Sequence, residues 1–224
     1  MANTIIFTVI FGNVAKIPTD GAMPFIFYMT GTVIWTYFSI CLTTTSNTFL
    51  GNSHLFGKIY FPRLTVPISS VIIGLLQFII QFIVLVSFLL YFTIKGYDVK
   101  FSYLTIFVPF LVFHVAILGF GIGILIAALT TKYRDLKFLM TFGIQLWMFA
   151  TPIVYPLSII PDKYVWLSLL NPMTAVVETF RFIVIGTGTF NINYILFSLL
   201  ISSLVFIFGV VIFNKIEKNF MDTI

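Results

Sequence analysis

Residues 64–94 read LTVPISSVIIGLLQFIIQFIVLVSFLLYFTI, with no Asp, Glu, Lys or Arg anywhere between Leu64 and Ile94. A helix needs about 20 apolar residues to cross the hydrocarbon core of a bilayer, and this run is long enough. Four more charge-free runs surround it, at Gly21–Gly57, Phe101–Thr131, Phe138–Pro161 and Phe182–Asn214. None alternates with the period of two that a membrane β-strand requires. The expected fold class is therefore all-α, a polytopic membrane protein. The composition points the same way: of 224 residues, 60% are apolar and only 8% charged, against about 25% charged in soluble domains. So few charges cannot coat a water-soluble globule, which excludes an ordinary soluble enzyme, a disordered tail and a secreted disulfide scaffold. The single cysteine, Cys41, allows neither an internal disulfide nor a cysteine metal site.

The runs place helices near 4–15, 24–45, 66–94, 103–130, 138–155 and 194–213, about six crossings in one transmembrane domain over residues 1–224. The first is incomplete, because only 15 residues precede Lys16, and no basic segment of the signal-peptide kind stands before it. A half-inserted helix and a chain whose start lies upstream both explain this; the second is preferred. Loop charge sets the orientation. With the first helix running outward, the inner segments Ser46–Arg63, Lys132–Lys137 and Lys215–Ile224 hold seven basic residues, and the outer segments hold five. Both ends then face the cytoplasm. The net charge of +5 is spread one to three residues per loop, a topology signal and not a nucleic-acid surface.

Residues 152–193 break the pattern. Pro152, Pro156, Pro161 and Pro172 interrupt apolar sequence, and each removes a backbone donor. Asn171-Pro172 is a helix start and Gly186 a stop. The helix between them is about 21 Å long at roughly 1.5 Å per residue, short of the roughly 30 Å core. It should be re-entrant or lie at the outer interface. Irregular backbone at membrane depth survives only against protein or a water-filled cavity, so residues 156–190 read as an outer gate segment. The candidate gate residues, which start just ahead of that segment, are Pro152, Tyr155, Pro156, Asn171, Pro172, Glu178 and Arg181. Glu178 and Arg181, three apart, share one helix face. Two readings stand: a gate latch or polar-substrate contact, and a local ion pair that seats a short helix near the interface.

Thr32, Thr36, Ser39, Thr43 and Ser46 form one hydroxyl stripe at helical spacing. Thr141, Gln145 and Met148 repeat it in the fifth helix, with Trp147 nearby. The stripe either lines a pore or packs helices, since Ser, Thr and Gln commonly join membrane helices. Gln77 and Gln81, four apart, read as bonds to a neighbouring helix. Gly119-Phe-Gly-Ile-Gly123 sits mid-span without a preceding strand, so it fails the context of a dinucleotide loop. Gly119, Gly123 and Ala127 instead form a small-residue ridge. His114 stands alone within the fourth span, as a functional group or as a neutral histidine bonded to a carbonyl. No catalytic constellation, metal cluster, cofactor loop or Walker loop appears, and no cofactor is expected.

Thr131-Lys-Tyr-Arg-Asp-Leu-Lys137, Ala150-Thr-Pro-Ile-Val-Tyr-Pro-Leu157 and Leu170-Asn-Pro-Met-Thr-Ala-Val-Val-Glu-Thr-Phe-Arg181 together resemble the membrane subunits of polysaccharide ABC exporters, the Wzm-like and teichoic-acid-exporter permeases. Phe11-Gly-Asn13, Ile17-Pro-Thr-Asp-Gly21 and Tyr60-Phe-Pro-Arg-Leu64 fit the same pattern, and the resemblance covers essentially the whole chain. It implies a homodimer of six-helix permeases in the cytoplasmic membrane, bound to two ATPase subunits and exporting a lipid-linked glycan. The permease itself would then be no enzyme. The resemblance also places an ATPase coupling loop at Asn52–Tyr60, on Asn52, His54, Phe56, Gly57, Lys58 and Tyr60. It gives the hydroxyl and aromatic side chains Thr32, Thr36, Ser39, Thr43, Thr141, Gln145 and Trp147 a part in passing sugar rings. The inner basic turn of Lys132, Arg134, Asp135 and Lys137 would attract a lipid diphosphate or serve as a topology anchor. Family members carry an amphipathic helix before the first span, which is missing here. The competing readings are a membrane transferase acting on lipid-linked sugars and a small-molecule or drug ABC exporter permease.

Overall fold

A computed structural model describes residues 2–48, 64–97, 103–130 and 135–220. Every regular element among the described residues is helical. We number the α-helices α1 (Ala2–Phe7, continued by a π-helical turn Thr8–Val14), α2 (Pro24–Ser46), α3 (Thr65–Ile94), α4 (Val108–Thr130), α5 (Leu136–Ala150), α6 (Asp162–Leu169), α7 (Pro172–Ile185) and α8 (Ile192–Phe220). Short 3₁₀ turns stand at Tyr103–Phe107 and Leu157–Ile159.

Among the described residues, four helical segments are long and apolar enough to cross a bilayer: Pro24–Ser46, Thr65–Ile94, Leu104–Thr130 and Ile192–Lys215. The pair α6 and α7, bent by 106°, brings the number to five if counted as one broken span. The sequence expectation was six. The difference lies in Ala2–Val14 and Leu136–Ala150, which are apolar but short; α5, at about 22 Å, falls below the core thickness.

Helix bounds follow local chemistry. The fifth helix was expected to reach residue 155, yet α5 ends at Ala150 because Thr151 precedes Pro152. A residue before proline is pushed out of the helical region, and Thr151 is extended at φ −98, ψ 142. The fourth span is not α-helical from residue 103. Pro109 cannot donate back into a preceding turn, so Tyr103–Phe107 forms a 3₁₀ turn and the α-helix begins at Val108. The last helix runs beyond Lys215 to Phe220, since the charged residues Lys215, Glu217 and Lys218 are themselves good helix formers.

α2 is the central helix: 78% of its span is buried, against 17% for α3 and 22% for α8. The register of its neighbours can be read from close approaches. A Cβ on Gly119 would meet Cys41 at 2.8 Å, and one on Gly123 would meet Thr45 at 2.6 Å, so α4 runs parallel to α2. Gly74 abuts Ile40, and Phe25 stacks edge-on to Phe88 at 5.1 Å, so α3 runs antiparallel. Thr4 bonds Thr32 at 3.0 Å and Gly12 abuts Pro24, which makes α1 antiparallel as well. On its far side α4 packs on α8, with Gly121 against Phe206 and Gly209. In lipid, helices associate through close packing and interhelical polar contacts, and the glycines of α4 serve both of its neighbours.

Candidate functional site

The site begins where α5 stops. The turn at Thr151–Tyr155 leaves the carbonyls of Pro152 and Ile153 without helical donors. The chain then passes through the 3₁₀ turn and α6, bends, and restarts at Asn171. Asn171 caps α7, its Oδ1 accepting from the Met173 N–H at 3.1 Å, with Pro172 in the first helical position. α7 ends at Gly186, whose φ of 71 is the left-handed cap conformation. Every α7 residue except Phe182 is buried. The helix is enclosed by protein.

Arg181 is fully buried, and Glu178 is 1% exposed. The Arg181 Nη1 donates to Glu178 Oε1 at 2.6 Å. Its Nη2 donates to the Pro152 carbonyl at 2.9 Å and the Ile153 carbonyl at 3.4 Å. The guanidinium lies 3.7 Å from the centre of the Phe27 ring, where the ring face attracts a cation. Gly31 makes the room: a Cβ there would sit 3.3 Å from Nη2. The other carboxylate oxygen, Glu178 Oε2, accepts from the Thr189 N–H at 3.0 Å, in the loop that leads to α8. One ion pair thus joins α7, the end of α5, α2 and the loop before α8.

A second polar cluster holds the bend. Asn171 Oδ1 also accepts from the Trp147 indole N–H at 2.9 Å, and Asn171 Nδ2 donates to Thr151 Oγ1 at 2.8 Å. The Trp147 ring stands edge-on to Phe38 at 5.1 Å. Replacing Asn171 with alanine removes the cap and orphans the indole N–H. The expected cost is about 1–2 kcal/mol, read as a lower unfolding temperature of the purified protein together with a shift in Trp147 fluorescence.

The remaining expected residues are placed as follows. Pro156 is buried and Tyr155 half-buried. Thr32 and Thr36 open on a cleft of about 370 Å³ shared with Asn3, Thr4 and Gln81. Their hydroxyl protons go to carbonyls one turn back, Thr36 to Thr32 at 2.6 Å and Thr32 to Met29 at 3.1 Å. Ser39 and Thr43 are half-buried. Thr141 and Gln145 are exposed on α5 beside Phe138, Phe142 and Phe149, one face of mixed polar and aromatic character. Trp147 is drawn instead into the Asn171 cluster. Asp135 is exposed and the Lys137 carbonyl accepts from Thr141. Lys132 and Arg134, and the whole of Asn52–Tyr60 with Asn52, His54, Phe56, Gly57, Lys58 and Tyr60, lie outside the described residues.

Sequence reasoning missed Phe27, Gly31, Thr151 and Thr189. Each meets the ion pair or the cap across a long sequence separation, and no local spacing signals such a contact. Thr151, immediately before Pro152, carried the one available hint.

The family described as ABC-2 type transporter matches residues 1–185. Two proteins of Klebsiella pneumoniae, each named O-antigen export system permease protein RfbA, are 29% and 28% identical over 224 residues, covering 99% of this chain and 85% of their own length. A protein of the same name from Myxococcus xanthus is 27% identical over 158 residues, 69% of this chain and 58% of its own.

Proposed function

The chain belongs to the ABC-2 type transporter family, and from that premise we propose that it is the permease subunit of an ABC exporter that moves lipid-linked polysaccharide across the cytoplasmic membrane. The observation that carries the reading is the similarity, over 99% of the chain, to permeases named for O-antigen export. Two copies form the pathway, and each binds one ATPase subunit through Asn52–Tyr60. Both termini face the cytoplasm, as the inner basic residues favour, and the α6–α7 hairpin then stands at the outer side as a gate.

In this scheme ATP binding closes the partner subunits, and the coupling loop passes the motion to α2 and α3. The exposed α5 face of Thr141, Gln145 and Phe142 and the α2 hydroxyls offer many weak contacts. Conduction needs sites weak enough to leave as well as enter, and stacked or edge-on aromatic rings with hydroxyl lone pairs meet that need for a sugar chain. The buried Arg181–Glu178 pair holds the hairpin and does not touch the glycan.

Co-purification tests the partnership. The full chain should bring down an ABC ATPase, and the association should weaken when Phe56 and Tyr60 are replaced with alanine. A chain that instead binds a nucleotide-sugar donor and no ATPase is a transferase. Replacing Lys132, Arg134 and Lys137 together with glutamine should cut export while the amount inserted in the membrane is unchanged. Unaltered export would reduce the turn to a topology anchor.

A further inference from the structure

His114, in α4, is fully buried and takes no part in the network around Arg181. Its Nε2 lies 2.9 Å from Ser202 Oγ and 3.3 Å from Ser198 Oγ, both on α8. Each serine has one hydroxyl proton, and both protons are committed elsewhere. Ser202 donates to the Ser198 carbonyl at 2.7 Å. Ser198 donates at 2.7 Å to the carbonyl of Pro172, the first residue of α7 at the hairpin bend. Hydroxyls aimed at those carbonyls meet the imidazole with lone pairs, the arrangement in which Nε2 carries the ring proton and Nδ1 is bare. Nδ1 is buried with no hydrogen-bond partner, which agrees with a proton assigned to the other nitrogen.

We propose that His114 is a positioning residue of the hairpin: its Nε2–H, by occupying the serine lone pairs, turns the Ser198 hydroxyl toward Pro172 and pins the bend to α4 and α8. This rests on the reading of the hairpin as the outer gate. The tautomer decides the state of the pin. With the proton on Nδ1, a bare Nε2 would accept the Ser198 or Ser202 hydroxyl, and the Pro172 carbonyl would keep only its helical donor, the Val176 N–H. The bend is then held from two sides: by Trp147 and Thr151 on Asn171, and by the His114–Ser198 pair on Pro172. Further along α7, Thr174 donates to the Ser168 carbonyl at 2.7 Å and the Arg181–Glu178 network ties the C-terminal half to Pro152, Ile153 and Thr189. The Asn171 and Pro172 holds are the ones at the bend itself, and releasing either loosens the start of α7.

The test uses the full chain with its ATPase in lipid nanodiscs. ¹⁵N-histidine NMR on a His54→Gln chain, labelled before it is joined to unlabelled ATPase so that His114 is the one labelled histidine of each copy, should show a protonated Nε2 and an unprotonated Nδ1; the opposite tautomer overturns the pin. In a Cys41→Ala background, Ala175→Cys places a thiol in the first turn of α7, at a position 6% exposed in the closed hairpin. Its labelling by a charged, water-soluble thiol reagent should be slow at rest and should speed up during ATP turnover. Ser198→Ala should raise the resting rate about tenfold, the population shift expected for one lost hydrogen bond. His114→Leu should raise it less, and Ser198→Thr, which keeps the hydroxyl, should restore the slow rate. A turnover-dependent rate that Ser198→Ala leaves unchanged at rest overturns the pin and leaves the gate standing. A rate that rises with Ser198→Ala but not with turnover keeps the pin and refutes the hairpin as a gate.

Discussion

Replacing Arg181 with leucine is expected to cost about 3–5 kcal/mol, the loss that follows when one member of a buried ion pair is removed. The cost comes from what remains. Glu178 would keep its two bonds to Thr189 but would hold an uncompensated charge at 1% exposure. The Pro152 and Ile153 carbonyls would lose their donor, and Gly31 and Phe27 would face a void. Lysine is not a substitute, because one ammonium cannot serve the carboxylate, the carbonyls and the ring face as the planar guanidinium does. Pairing Arg181→Leu with Glu178→Gln should recover most of the loss, since no charge is left and the glutamine oxygen still accepts from the Thr189 N–H. Thermal unfolding of the four proteins in one detergent gives the double-mutant cycle. Equal losses in the single and double variants would mean that the pair's electrostatics contribute nothing and that packing alone holds α7.

A comparable loss is expected from Gly123→Val on the other side of α2. Even an alanine Cβ there lies 2.6 Å from the Thr45 Cβ and 2.9 Å from the Leu42 carbonyl oxygen. The second contact is backbone, so no rotamer change relieves it and the two helices must separate. Overpacking of this kind costs about 1–3 kcal/mol for one added methyl, and valine exceeds it. Gly143 supplies the control, because a Cβ at that position meets nothing within 4 Å. Gly143→Ala should stabilise the protein by about 0.5–1 kcal/mol through backbone entropy alone. If both glycines tolerate alanine equally in thermal unfolding, the close α2–α4 approach is not a determinant of the fold.

The spans were legible because charge is expelled from the bilayer core. The charge-free run at residues 64–94 marks α3, observed at Thr65–Ile94, to within a residue. The start of α7 at Asn171-Pro172 and its stop at Gly186 were legible because capping is local chemistry. The end of α5 was misplaced by reading hydropathy through Pro152, whose restriction on Thr151 acts one residue earlier. The surroundings of Glu178 and Arg181 were not legible at all. Their spacing puts them on one face of α7, but only the fold tells that this face meets Phe27 and Gly31. The same holds for His114. Its solitude in sequence reflects partners 84 and 88 residues away.

The central claim is export powered by a partner ATPase, and one measurement meets it directly. In a strain lacking this chain, lipid-linked polysaccharide should accumulate on the cytoplasmic face. Re-expression of the chain should return the polymer to the cell surface when the partner ATPase is active, and not when its nucleotide site is disabled. Surface polysaccharide that is unchanged by the loss of the chain would contradict the account.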